Sequence, residues 1–174
     1  MRTLHVGLRV SDLERSLAFY TAVGYLVVGT VEGTEFGSLT MLRLPGDSFV
    51  TIELVYHPAG DAVDLGTGIS HLVVQVESLE VTLADLAAQG IVAEPPGLPS
   101  GMDGPRTSWI TDPDGYRIEL VQWPAGHADG ITEVDFSMTG GYPAGDGRNW
   151  RESQRHHRAG SQPADPGTAG PAAP

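Results

Sequence analysis

Ile52-Glu53-Leu54-Val55 returns as Ile118-Glu119-Leu120-Val121, at an offset of 118 − 52 = 66 residues, and the fold is read from this repeated tetrapeptide. A tandem repeat constrains the whole architecture, because each copy must build the same supersecondary unit. Working outward, the same offset carries Leu13, Leu17 and Tyr20 onto Leu79, Leu83 and Leu86, and Gly24 onto Gly90. It also carries His5 onto His71 and Glu53 onto Glu119, without a gap in register.

Each half reads as a strand, a helix and further strands, an α+β arrangement of two modules in tandem, because period-2 alternation gives way to helical spacing and then returns. The first strand is expected over residues 3–10, with Leu4, Val6, Leu8 and Val10 on one face and His5, Gly7 and Arg9 on the other. Leu72, Val74 and Val76 copy this in the second half. Ser11 with Glu14 forms a capping-box pattern for the first helix, whose Leu13, Leu17 and Tyr20 stripe packs onto the sheet. Gly24 and Gly90 mark helix ends. Strands are predicted over 25–31, 36–44 and 49–56, then over 91–93, 106–111 and 116–123, with a Pro/Gly loop between the first two of the second half. Expected module boundaries are 1–66 and 67–126, followed by a tail, 127–174.

Composition narrows the chemistry. A 174-residue chain with 40% hydrophobic residues can bury a real core. The net charge is −12, every basic residue is arginine and none cluster, so nucleic acid is an unexpected partner. No apolar run is long enough to span a bilayer and no apolar leader precedes the first strand, so a cytoplasmic location is expected. With no cysteine, any metal must be held by imidazole nitrogen and carboxylate oxygen. In the tail, rich in Gly, Pro and Ala, disorder is expected from about residue 140, and its His127, His156 and His157 are read as solvated.

A single His or Glu on the outer face of a half-buried strand is ordinarily just solvated. Joint placement changes that reading. Ile118 and Leu120 face the helix layer, so Glu119 points away from it, as Glu53 does between Ile52 and Leu54. Two unlike residue types persist at equivalent positions while Arg9 becomes Gln75 and Phe19 becomes Asp85. Duplication alone preserves one such pair more easily than two. A metal site built from His5, Glu53, His71 and Glu119 is therefore expected. This oxygen and nitrogen set suits Ni, Co, Mn, Fe or Zn and leaves coordination positions for substrate. Such a metal can chelate adjacent substrate oxygens and stabilise an enediolate while a carboxylate moves a proton between carbons.

Four segments resemble the bacterial glyoxalase I (lactoylglutathione lyase) proteins of the vicinal oxygen chelate superfamily. They are Leu4 to Val10 with Asp12-Leu13 and Phe19-Tyr20-Thr21; Ile52-Glu53-Leu54; Asp64-Leu65-Gly66-Thr67 leading to His71; and Asp112-Pro113-Asp114-Gly115-Tyr116-Arg117-Ile118-Glu119-Leu120. The resemblance implies two βαβββ modules and a homodimer whose metal sites join His5 and Glu53 of one chain to His71 and Glu119 of the other. It implies a lyase acting on the hemithioacetal of methylglyoxal and glutathione, with Glu119 as main proton carrier and Glu53 as ligand and second base. Nickel or cobalt is favoured, and zinc also fits. Arg9 matches a position that contacts the thiol's carboxylate. After the first Glu the family commonly carries Asn on Tyr-Asn, whereas here Tyr56 is followed by His57, which leaves another low-molecular-weight thiol open. His57 and Arg106 are further candidates for substrate contact. The rival readings are another metal enzyme of this fold, an epimerase or a dioxygenase, and a non-enzymatic antibiotic-binding protein. The first usually departs from the ligand quartet, and the second typically lacks it.

Overall fold

The computed structural model of the chain describes residues 1–58, 62–99, 104–132 and 135. The chain divides into two units, Met1–Asp129 and Gly130–Pro174. In the second unit the Asp135 Oδ2 accepts from the Thr132 N–H at 2.7 Å. The disorder expected from about residue 140, with His156 and His157, lies outside the described residues.

The first unit carries the repeat. Its first half runs β1 (Val6–Val10), α1 (Leu13–Val23), β2 (Leu26–Thr34), β3 (Gly37–Arg43) and β4 (Ile52–Tyr56), assembled in the order β1-β4-β3-β2. The second runs β5 (Leu72–Gln75), α2 (Leu79–Ala88), β6 (Arg106–Thr111) and β7 (Arg117–Gln122), in the order β5-β7-β6. In both, the first strand pairs in parallel with the last, which a helical crossover permits and a hairpin does not. The two pairings share one register: Gly7 lies opposite Glu53, and Val73 opposite Glu119. The 66-residue offset thus survives at the level of backbone hydrogen bonding.

Alternation sets the core. Leu8, Val10, Leu42, Ile52 and Leu54 are buried, as are Val74, Ile110, Ile118 and Leu120, and Tyr20, Leu79 and Leu86 pack on them from the helices. The strand residues between them point to the opposite, open side of each sheet. Among the described residues no helix is long and apolar enough to cross a membrane.

Three expectations require correction. The N-cap of α1 is Asp12, which accepts from the Arg15 N–H at 3.0 Å, and not Ser11. Ser11 instead gives its N–H and hydroxyl to Asp114, far along the chain in the Asp112–Tyr116 loop, so a tertiary acceptor displaces the local capping box. Residues 91–93 form no strand, and the second sheet has three strands rather than four. Pro95 and Pro96 lack the N–H groups of a ladder, and pairing with β6 reduces to the Glu94 N–H on the Trp109 carbonyl and a bridge between Gly97 and Thr107. Finally, β1 begins at Val6, because β4 begins at Ile52 and the Val6 N–H on the Thr51 carbonyl is the first rung between them.

The same loop fastens the two modules together. Asp112, buried, accepts from the Tyr20 hydroxyl at 3.0 Å and from the Tyr116 N–H at 2.8 Å. Burial raises the Asp112 carboxyl above the ordinary carboxylate range, against the lowering effect of these donors, and raises the Tyr20 phenol through burial and the adjacent Asp112. Tyr20→Phe is expected to lower unfolding free energy by about 1–3 kcal/mol, because the carboxylate loses a buried donor. Denaturant titration measures this, and a loss below the lower bound would mean solvent already reaches Asp112.

Candidate metal centre

The first His and Glu pair is assembled by two neighbouring strands. Glu53 in β4 lies opposite Gly7 of β1, and His5 precedes Gly7 by two residues, so both side chains leave the open face. His5 Nε2 lies 3.4 Å from Glu53 Oε2. The second pair repeats this on β7 and the chain leading into β5, with His71 Nε2 at 3.5 Å from Glu119 Oε2. Both carboxylates are mostly covered and both imidazoles about one-third exposed.

These separations can be compared with what a metal demands. Donors at about 2.1 Å from one cation lie roughly 3.0 Å apart when adjacent in an octahedron and about 3.4 Å apart in a tetrahedron. Each pair therefore fits two adjacent positions around one ion. Among the described residues, however, no group of three or more His, Cys, Asp or Glu side chains gathers around a common point. One chain presents two separate bidentate pairs, and the four residues are not brought together within it. A concavity bordered by Tyr25, Leu44, Asp47, Val74 and Gln75 contains none of them.

The second pair has supports that sequence reading missed. Ser70 Oγ lies 2.9 Å from His71 Nδ1. With Nε2 turned toward Glu119, a hydrogen on Nδ1 donated to Ser70 would fix the imidazole in a metal-binding tautomer. Trp109, directly opposite Glu119 across β6 and β7, meets the His71 ring edge to face with centroids 5.0 Å apart. The Arg117 guanidinium lies 4.7 Å from the Trp109 ring centre and pairs with Glu94 at 2.8 Å. Met41 holds the corresponding place opposite Glu53 in the first sheet. Trp109 was visible as a strand residue, but its neighbour across the sheet depends on register.

The substrate-contact candidates fall in different places. Arg9 is exposed on the open face of β1, two residues beyond Gly7, and its carbonyl accepts from the Tyr116 hydroxyl at 3.2 Å. His57 follows β4 immediately and is exposed. Arg106 opens β6 and shares the strand parity of buried Ser108 and Ile110, opposite to that of Trp109. Arg9 shares the strand face of the first pair, four residues along from His5, and Arg106 is off the parity of the open face.

Comparison with known proteins bears on this geometry. The family model described as the glyoxalase/bleomycin resistance protein/dioxygenase superfamily matches residues 2–120. A probable lactoylglutathione lyase of Vibrio cholerae is 35% identical over 131 residues, covering 73% of this chain and 94% of the relative. The lactoylglutathione lyase of Salmonella typhimurium is 33% identical over 125 residues, covering 70% and 93%. Among solved structures, the trypanothione-dependent glyoxalase I of Leishmania major superposes with a TM-score of 0.58 at 29% identity, covering 70% of this chain and 86% of that one.

Proposed function

Because the chain belongs to the glyoxalase/bleomycin resistance protein/dioxygenase superfamily and is an enzyme of its lactoylglutathione lyase type, we propose that it isomerises the hemithioacetal of methylglyoxal and a small thiol to the S-lactoyl thioester. The observation carrying this reading is the pair of His and Glu dyads, His5/Glu53 and His71/Glu119, set at equivalent registers with donors 3.4 and 3.5 Å apart. Each dyad supplies half of a four-ligand set. We propose that a second copy of the chain supplies the other half, in a cytoplasmic homodimer. Val73, in register with Glu119, is 59% exposed, and Val28 and Phe36 are also uncovered, so apolar surface is available for a facing subunit.

The chemistry of the donors favours a divalent ion of the nickel, cobalt or zinc type, which when bound would polarise the two adjacent substrate oxygens and acidify the carbon between oxygen and sulfur. His5 and His71, whose Nε2 atoms face the two carboxylates, would hold it. Glu119 takes the proton from the thiol-bearing carbon and delivers it to the neighbouring carbon, so the product has the same atoms as the substrate. Glu53 would complete the ligand set and serve as the second base. Arg9, on the same strand face as His5, meets the carboxylate of the thiol. His57, exposed immediately after β4, is the second candidate for contact with the thiol.

Assaying methylglyoxal with a panel of thiols across nickel, cobalt and zinc tests the reading; absence of turnover with every combination would refute it. Within an active preparation, Glu119→Gln is expected to lower kcat at least about a hundredfold while the protein stays folded, since an amide cannot carry the proton. Unchanged turnover would remove Glu119 from proton transfer.

A further inference from the structure

Gly7 sits inside β1 on the open face, between His5 and Arg9. Its backbone does not require glycine, because it pairs regularly with Glu53 and is absent from the glycines of left-handed φ. Glycine within a strand costs stability relative to alanine, and it often marks close approach by a ligand. Packing does not demand it either. An added Cβ would meet Glu53 Oε1 at 3.4 Å and Val55 Cγ2 at 3.5 Å, ordinary contact distances that would admit a methyl group. A larger side chain would lean across the Glu53 carboxylate.

The repeat supplies an internal control. The equivalent position in the second half is Val73, which faces Glu119 in the register that Gly7 keeps with Glu53. The two halves thus present the same ligand types, but one has a valine beside its carboxylate and the other has bare backbone.

We propose that Gly7 determines thiol specificity as the floor beneath the substrate's thiol arm, selecting thiols branched close to sulfur. The inference rests on the hemithioacetal reading above. From His5 to Arg9 is four residues along one strand face, about 13 Å, and a thiol running from the metal side to the Arg9 guanidinium crosses Gly7 midway. Bare backbone there leaves room for a substituent on the carbon next to the one bearing sulfur. An unbranched thiol does not use that room.

Two thiols isolate the effect. N-acetylcysteine and 3-mercaptopropionate carry a carboxylate at the same distance from sulfur and differ in an acetamido branch. With methylglyoxal adducts, Gly7→Val is expected to lower kcat/KM for the branched thiol at least about tenfold and for the unbranched thiol less than about threefold. Gly7→Ala should fall between wild type and Gly7→Val. Calorimetric binding of the S-methyl derivatives of both thiols to metal-loaded protein should show the same selective loss. Equal losses on both thiols would overturn the proposal, as would a Gly7→Val protein whose sole defect is lost metal, since Gly7 would then serve Glu53 rather than substrate. Wild-type protein inactive on every hemithioacetal would count against the enzymatic reading alone, because the calorimetric comparison would still decide the role of Gly7.

Discussion

Mixing two inactive variants, His5→Ala/Glu53→Ala and His71→Ala/Glu119→Ala, is expected to restore about a quarter of wild-type activity after co-refolding. Each variant alone lacks one dyad, so in a symmetric dimer every shared site is missing half its ligands. In a mixed dimer one site combines both damaged dyads and the other combines both intact ones. Random exchange makes about half of the dimers mixed, and one of their two sites works, which gives about one quarter. Bound metal should recover to the same fraction. The structural ground is that one chain holds two dyads and, among its described residues, no cluster of three or more ligands. If each chain built a whole site for itself, no mixture of these variants would recover anything, and that result would end the shared-site reading.

Gly37→Ala is expected to destabilise the fold by about 3–5 kcal/mol, among the largest effects of any single methyl group here. Gly37 opens β3 at φ 105°, in the left-handed region, and a Cβ there would lie 2.1 Å from the Tyr56 carbonyl oxygen and 2.9 Å from its carbon. Backbone offers no rotamer by which to step aside. Relief requires separating the start of β3 from the end of β4, where Ser38 pairs with Tyr56. The same strand carries Glu53, so metal affinity should fall along with stability. Thermal unfolding and a chelator competition titration read the two effects. A variant within about 1 kcal/mol of wild type would show that the hairpin yields easily at this point.

The contrast between Gly37 and Gly7 shows how unevenly sequence reports structure. Both are glycines in strands, and nothing in their local patterns separates them. Gly37 is demanded by a carbonyl from a strand that begins fifteen residues later, while Gly7 faces only ordinary contacts. Ser11 makes the same point at the helix terminus. Ser11 with Glu14 reads locally as a cap, yet Ser11 serves Asp114, and Asp12 takes the cap because its side chain reaches the Arg15 N–H. The absent strand over 91–93 was foreshadowed by Pro95 and Pro96, whose missing donors outweighed the analogy with the first half.

Residue order alone carries the repeat, the helices, the face from which each of His5, Glu53, His71 and Glu119 emerges, and the nitrogen and oxygen donors they offer. These follow from local periodicity and donor chemistry, and both are written in residue order. Tertiary structure alone decided that Glu53 lies beside His5 and Glu119 beside His71 at ligand spacing, that Ser70 and Trp109 support only His71, and that one chain keeps the dyads apart. Those facts depend on strand register and on how two sheets are set in space. Periodicity along the chain fixes which way a side chain points, but not what stands opposite it.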